Sequence, residues 1–274
     1  MRGPVLTGFR WVVVAACVGS LAACSSAKSA ATTTTTPPGL KTLTILVTND
    51  DGVGAPGINA VVQGLRALPH TRVTVVAPLT NQSGTGGKTT KGKLVVTRDT
   101  TASGYPALAV HGYPADTIVW AIEDHGISFR PDLVVSGINF GQNIGPLADL
   151  SGTVGAARAA LRRGLPAQAS SHGVDDGLGP DFAEGVIQVD AWIALHRTAL
   201  VEHSYGSHPP EGSLNVPTCA GGTVRGPVFA PVATSLGGLS LTAVNCASTA
   251  TTFSNDIEAF NDGEAVISPL FPAG

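Results

Sequence analysis

The chain is poor in charge. Only 13% of its 274 residues are Asp, Glu, Lys or Arg, the net charge is -3, and no stretch concentrates Lys and Arg. Binding along a nucleic-acid backbone needs a concentrated cationic surface, so a duplex partner is excluded as the main target. Long apolar runs are also lacking. The stretch of 11–19 that follows Arg2 and Arg10 is too short for a membrane span, which takes roughly 20 residues. Cysteine is scarce, with four in the chain, and no internal repeat is evident. What remains is a chain that is 43% hydrophobic, enough for a sizeable core, with 34 Gly and 19 Pro that foretell many turns.

The short apolar segment behind a positive flank reads as an export signal. It ends in Leu-Ala-Ala-Cys at Cys24, which resembles a bacterial lipobox. On that reading residues 1–23 are a lipoprotein signal peptide and Cys24 is lipidated, anchoring the protein at the outer face of the bacterial cell membrane. An ordinary signal peptide or an uncleaved anchor is the alternative. Residues 24–40, with SSAKSAATTTTTPPG, carry almost no apolar bulk and suit a flexible tether. Cys17 then belongs to the removed segment, which leaves Cys219 and Cys246 as a pair. In an exported protein they form either a disulfide or two buried thiols.

From residue 41 onward, Val- and Ile-rich runs alternate with segments of helical periodicity. Strands are expected over 43–47, 72–78, 107–110, within 131–139 and over 166–170. Helices are expected around 58–68, from Pro114, from Ser151 to Gly164, and across 182–193. Such alternation predicts an α/β fold, a Rossmann-like and mainly parallel sheet flanked by helices. Past residue 214 short strand-like pieces at 228–233, 239–244 and 265–270 suggest a smaller C-terminal β-rich appendage within a single domain of 41–274.

In open α/β sheets ligands sit outside the carboxyl ends of the strands. Three strands here end in polar sequence: Asn49-Asp50-Asp51-Gly52, APLTNQSGTGG (77–87) and SGINFGQNIG (136–145). Adjacent carboxylates at Asp50 and Asp51 repel, so one takes a proton or a cation sits between them. Asp-Asp-Gly also suits a plain turn, but three such loops at one sheet edge favour a site. Oxygen donors without Cys or His favour a hard divalent cation, Mg²⁺, Mn²⁺ or Ca²⁺, over zinc. The third loop runs into Ser151-Gly152-Thr153 at a helix start, where free N–H groups and the helix dipole favour an anion such as phosphate. Ser151 is also explained by a simple N-cap. A cation site facing an anion site points to phosphoryl chemistry.

ILVTNDDG, VVAP with NQSG, GYPADTIVWAI, PDLVVSGINFGQNIG with SGTVGAA, LNVP and AVISPL occur in the order and spacing of the SurE family, which the mature chain resembles over nearly all its length. The resemblance implies a phosphoric monoester hydrolase, a divalent-metal-dependent 5'-nucleotidase acting on nucleoside 5'-monophosphates and on 3'-monophosphates as an open second class. It implies Asp50, Asp51, Ser83 and Asn139 as metal ligands and a C-terminal arm used in dimerisation, hence a homodimer or tetramer. Mg²⁺ or Mn²⁺ is the expected cation. Asp50 and Asp51 are the catalytic candidates, and Asn139, Asn143, Ser151, Gly152 and Thr153 the candidates for holding phosphate. The chain departs from the common family pattern at Leu79, where an Asp is usual, and at Gln82, where an Arg is usual. Those two departures keep open a non-catalytic surface lipoprotein that binds nucleotide or phosphate. A broader acid phosphatase or polyphosphatase is the other enzymatic alternative.

Overall fold

Among the described residues nine strands form one sheet in the order β3-β4-β2-β1-β5-β6-β7-β9-β8. The structure is a computed structural model and describes residues 41–174, 182–237 and 244–271. The elements run β1 (Leu43–Thr48), α1 (Pro56–Ala67), β2 (Thr71–Pro78), β3 (Val96–Thr100), β4 (Pro106–Val110), α2 (Pro114–Ile122), β5 (Leu133–Phe140), a 3-10 turn (Gly145–Asp149), α3 (Gly152–Leu161), β6 (Ala167–His172), α4 (Phe182–Glu202), β7 (Glu211–Val216), β8 (Arg225–Phe229), α5 (Asp256–Asn261) and β9 (Glu264–Ser268). The expected signal peptide, lipidation site and tether lie outside the described residues, as does most of the strand expected at 239–244. Among the described residues no helix is long and apolar enough to cross a membrane.

The centre of the sheet is parallel. β1 pairs with β2 on one side and β5 on the other, and β5, β6 and β7 continue in parallel register. Buried on both faces, β1 reads as a near-continuous apolar run, LTILVT, and β2 and β5 carry Val-rich runs beside it, as a two-sided parallel sheet favours. Ile45, Val47, Val75 and Val135 face α1 and α4 with Ile58, Val62 and Trp192. Leu46, Val76 and Val134 face α2 and α3 with Ile118, Val154 and Ala157. Each fully buried Ile or Leu stabilises the fold by about 1.5–3 kcal/mol, so these two layers fix the strand ends that carry the polar loops.

The helix starts are dictated locally. Pro56 and Pro114 open α1 and α2, where a missing N–H costs nothing. The Asp116 carboxylate accepts the Tyr113 N–H at the start of α2 and also ties down Thr90. Ser151 caps α3 by accepting the Val154 N–H at 3.1 Å.

The C-terminal strands are part of the main sheet. β9 pairs antiparallel with β7, and β8 closes the edge beside β9. A third apolar cluster of Ile144, Ile257, Phe260 and Val266 sits against this end. Cys219 and Cys246 are joined as a disulfide with their Cα atoms 5.7 Å apart. β3, which pairs antiparallel with β4 at the opposite edge, was not expected from the sequence. Its mostly exposed VTRDT lacks the apolar signal of a buried strand.

Candidate metal and phosphate site

Parallel neighbours β2, β1 and β5 bring their three carboxyl-terminal loops to one edge. The first loop is stitched to the second by main-chain bonds, from the Gln82 N–H to the Asp50 carbonyl at 2.7 Å and from the Val53 N–H to the Pro78 carbonyl at 2.8 Å. Within the first loop the Asn49 amide donates to the Gly52 carbonyl at 2.9 Å. Gly52 itself adopts φ +103°, and a Cβ there would lie 3.1 Å from the Thr80 carbonyl carbon. This turn therefore needs glycine, and it holds the two carboxylates in fixed and different surroundings.

Asp50 points inward and is only 2% exposed. Its Oδ1 accepts the Thr153 hydroxyl at 2.6 Å and its Oδ2 the Thr153 N–H at 3.1 Å, so the carboxylate sits on the N-terminal turn of α3. A Cβ on Gly152 would lie 2.8 Å from the Asp50 Cβ, which shows how closely the helix start approaches. Burial raises the Asp50 pKa, and the Thr153 side-chain and backbone bonds oppose that rise.

Asp51 points toward the cleft. Its Oδ2 accepts the Phe140 N–H and its Oδ1 the Asn81 amide, each at 3.2 Å. Asn81 in turn accepts the Ser83 N–H at 2.9 Å. One carboxylate thus links the second loop, through Asn81, to the residue after Asn139 on β5. Burial, and then the Asp50 charge, push the Asp51 pKa up to about 6, against a small lowering by the Phe140 N–H. Two carboxyl groups raised in this way are stabilised by an added cation.

The other expected residues fall as follows. The Asn139 amide N–H donates to the Gly141 carbonyl at 2.6 Å, leaving its carbonyl oxygen as the available donor atom for a metal. Ser83 is exposed beside Asn81. Asn143 faces away toward β6 and β7: its side chain donates to Ser171 at 2.9 Å and its N–H to the Asn215 oxygen at 2.7 Å. The Thr153 N–H and hydroxyl, expected to bind phosphate, are instead spent on Asp50, because the buried ion needs both donors. Ser151 acts as the helix cap.

Three residues were missed. Asn81 lies inside the quoted NQSG motif, yet its bridging role depends on the Asp51 rotamer. Asn215 lies inside LNVP. Asp256 gave no local signal at all, being an acid in the first turn of α5. Its two oxygens accept the Gly145 and Ala233 N–H groups at 2.8 Å each, fastening the third loop to the C-terminal segment.

All donors near Asp50 and Asp51 are oxygens, from Asp, Ser and Asn. Among the described residues no group of three or more His, Cys, Asp or Glu could hold a metal. A zinc centre built on Cys or His therefore does not fit, whereas a hard divalent cation held by two carboxylates and neutral oxygens does.

Fold and site together define an α/β protein with two adjacent carboxylates, surrounded by neutral oxygens, at the carboxyl edge of a parallel sheet, a candidate cation site. The model of the family "Survival protein SurE" matches residues 45–236, and the chain belongs to that family. It is 44% identical over 178 residues to "5'-nucleotidase SurE" of Methanopyrus kandleri, covering 64% of this chain and 65% of that protein, just under two thirds of its length. It is 36% identical over 192 residues to "5'-nucleotidase SurE" of Methanocella arvoryzae, covering 68% of this chain and 71% of that protein. The crystal structure of SurE protein from Aquifex aeolicus superposes with a TM-score of 0.61 at 24% identity, over 82% of this chain and 92% of that one, which shows a shared fold.

Proposed function

We propose that the protein is a divalent-metal-dependent phosphomonoesterase that converts nucleoside 5'-monophosphates, and 3'-monophosphates as a second class, to nucleoside and phosphate. The observation that carries this reading is the Asp50/Asp51 pair. One carboxylate is seated on α3 by Thr153, and the other is bound by the Phe140 N–H next to Asn139 and by Asn81, which in turn holds Ser83. The names of the relatives agree with it.

Asp50, Asp51, Ser83 and the Asn139 oxygen would hold the cation, with Mg²⁺ or Mn²⁺ the best match to hard oxygen donors. When bound, such an ion supplies charge neutralisation at the phosphoryl group and a more acidic water. Water oxygen forms the new bond to phosphorus, the ester P–O bond breaks, and the water's protons are shared between the alcohol and phosphate products. Asp51, half-buried at the cleft, is the carboxylate placed to take a proton from that water. Asp50 holds the start of α3 in place by accepting the Thr153 N–H and hydroxyl.

The lipobox-like Leu-Ala-Ala-Cys supports an exported enzyme anchored through lipidated Cys24 at the outer face of the cell membrane. A Cys24→Ser chain recovered in the membrane fraction to the same extent as the native chain would contradict the anchor. The family resemblance supports a homodimer or tetramer.

Phosphate release from 5'- and 3'-mononucleotides, with chelator and then with Mg²⁺ or Mn²⁺ restored, tests the activity. Metal-restored release is expected. Nucleotide binding without turnover would instead identify a capture protein.

A further inference from the structure

A cavity of about 580 Å³ opens on the outer side of Asp51. Its walls are apolar: Ala55, Pro56, Leu79, Phe140 and Phe182. Asp51 and Asn81 stand on its wall as the polar side chains, so the cavity is continuous with the proposed phosphoryl site. Volume and lining match a small-ligand pocket, which is mostly apolar with a few fixed polar groups. Among the described lining residues Asp51 is the sole charge, and no cationic side chain is present.

Phe140 is the notable wall. Its N–H is bound to Asp51, and the residue is 47% exposed beside the polar side chains of the candidate site. An exposed ring beside a reacting group offers a stacking platform, and stacking on an aromatic face accepts any flat ring. Leu79, where the family commonly has Asp, makes the opposing wall apolar and packs on the core below.

We infer that this cavity is the leaving-group subsite and that Phe140 is its specificity-determining residue, selecting phosphomonoesters whose alcohol carries a flat ring over small aliphatic ones. The inference rests on the phosphomonoesterase reading. The Asn81 amide already bridges Asp51 and Ser83, so the subsite reads ring shape and not the hydrogen-bonding edge of a particular base.

The test uses the full chain with Mn²⁺ and three substrates: adenosine 5'-monophosphate, 4-nitrophenyl phosphate and glycerol 2-phosphate. Phe140→Ala is expected to lower kcat/KM for the two ring substrates about tenfold, mainly through KM, as loss of one stacked ring does. The ratio of their kcat/KM to that of glycerol 2-phosphate falls by the same factor. Phe140→Leu, which keeps apolar volume, serves where the alanine variant misfolds, and is expected to lower that ratio at least about threefold. An equal change for all three substrates, or none, overturns the inference while leaving the phosphatase reading intact. Should no substrate be hydrolysed, that reading fails by itself, and binding of adenosine still decides the subsite. Tenfold weaker adenosine binding by the variant supports it, and unchanged binding overturns it.

Discussion

Thr153→Val removes one hydroxyl from the protein and little else. Valine keeps the volume and the branching at Cβ, and position 153 is fully buried. The lost group is the donor 2.6 Å from Asp50 Oδ1, inside a site where Asp50 is 2% exposed. Hydrogen bonds to charged groups contribute about 1.5–3 kcal/mol, and water cannot replace this one. Destabilisation of about 2 kcal/mol is therefore expected at pH 7 in metal-free protein, or a fall in Tm of roughly 4–8 °C for a domain of this size. Proton uptake by Asp50, whose pKa the Thr153 bond holds down, would moderate the loss. Urea denaturation of the native chain, Thr153→Val, Asp50→Asn and the double variant gives the coupling between the two side chains. Coupling of at least about 1 kcal/mol is expected. If Thr153→Val costs the same with and without the Asp50 charge, to within about 0.5 kcal/mol, the buried-ion reasoning is refuted.

Other consequences are equally direct. Asp50→Asn is expected to abolish most phosphate release while leaving the far-ultraviolet circular dichroism unchanged; a fully active variant would remove Asp50 from the catalytic pair. Gly152→Ala would push a methyl to 2.8 Å from the Asp50 Cβ and 3.0 Å from its Oδ2, for a loss of about 1–3 kcal/mol and a displaced carboxylate, measured by denaturation and by metal affinity. Asp51 has its folded pKa raised to about 6 from 3.8, so the folded protein holds a proton that the unfolded chain has lost between those values. Metal-free stability then falls as pH rises from about 4 to 6, by on the order of 1–2 kcal/mol after allowing for partial exposure, and Asp51→Asn should flatten that fall. Reducing the Cys219–Cys246 bridge, which spans 27 residues, is expected to cost about 3.5 kcal/mol by loop entropy, read as a shift of the denaturation midpoint with and without reductant.

The central layers were legible because their signals are local and strong. Val- and Ile-rich runs at β1, β2 and β5 end in polar loops, and parallel pairing follows from the intervening helices. Asp50, Asp51, Ser83 and Asn139 could be placed at one edge for the same reason. Which donor serves which acceptor was not legible. Thr153 was expected to face phosphate, but the desolvated Asp50 claims both its donors. Asn143 was expected at the site, but Asn215 and Ser171 draw it toward β7 and β6. These outcomes depend on contacts across roughly 30–100 residues of chain, which no periodicity records. Strand β3 escaped because an exposed edge strand carries polar residues, and Asp256 because its partners, Gly145 and Ala233, are distant main-chain groups.

Three loops donating oxygens to one cation are the core of the proposed site. Anomalous diffraction from crystals soaked in Mn²⁺ locates that ion without reference to activity. One strong peak within coordination distance of Asp50 or Asp51 carboxylate oxygens, and of the Asn139 oxygen, is the expected result. A map in which Mn²⁺ binds elsewhere and this edge of the sheet holds none would contradict it.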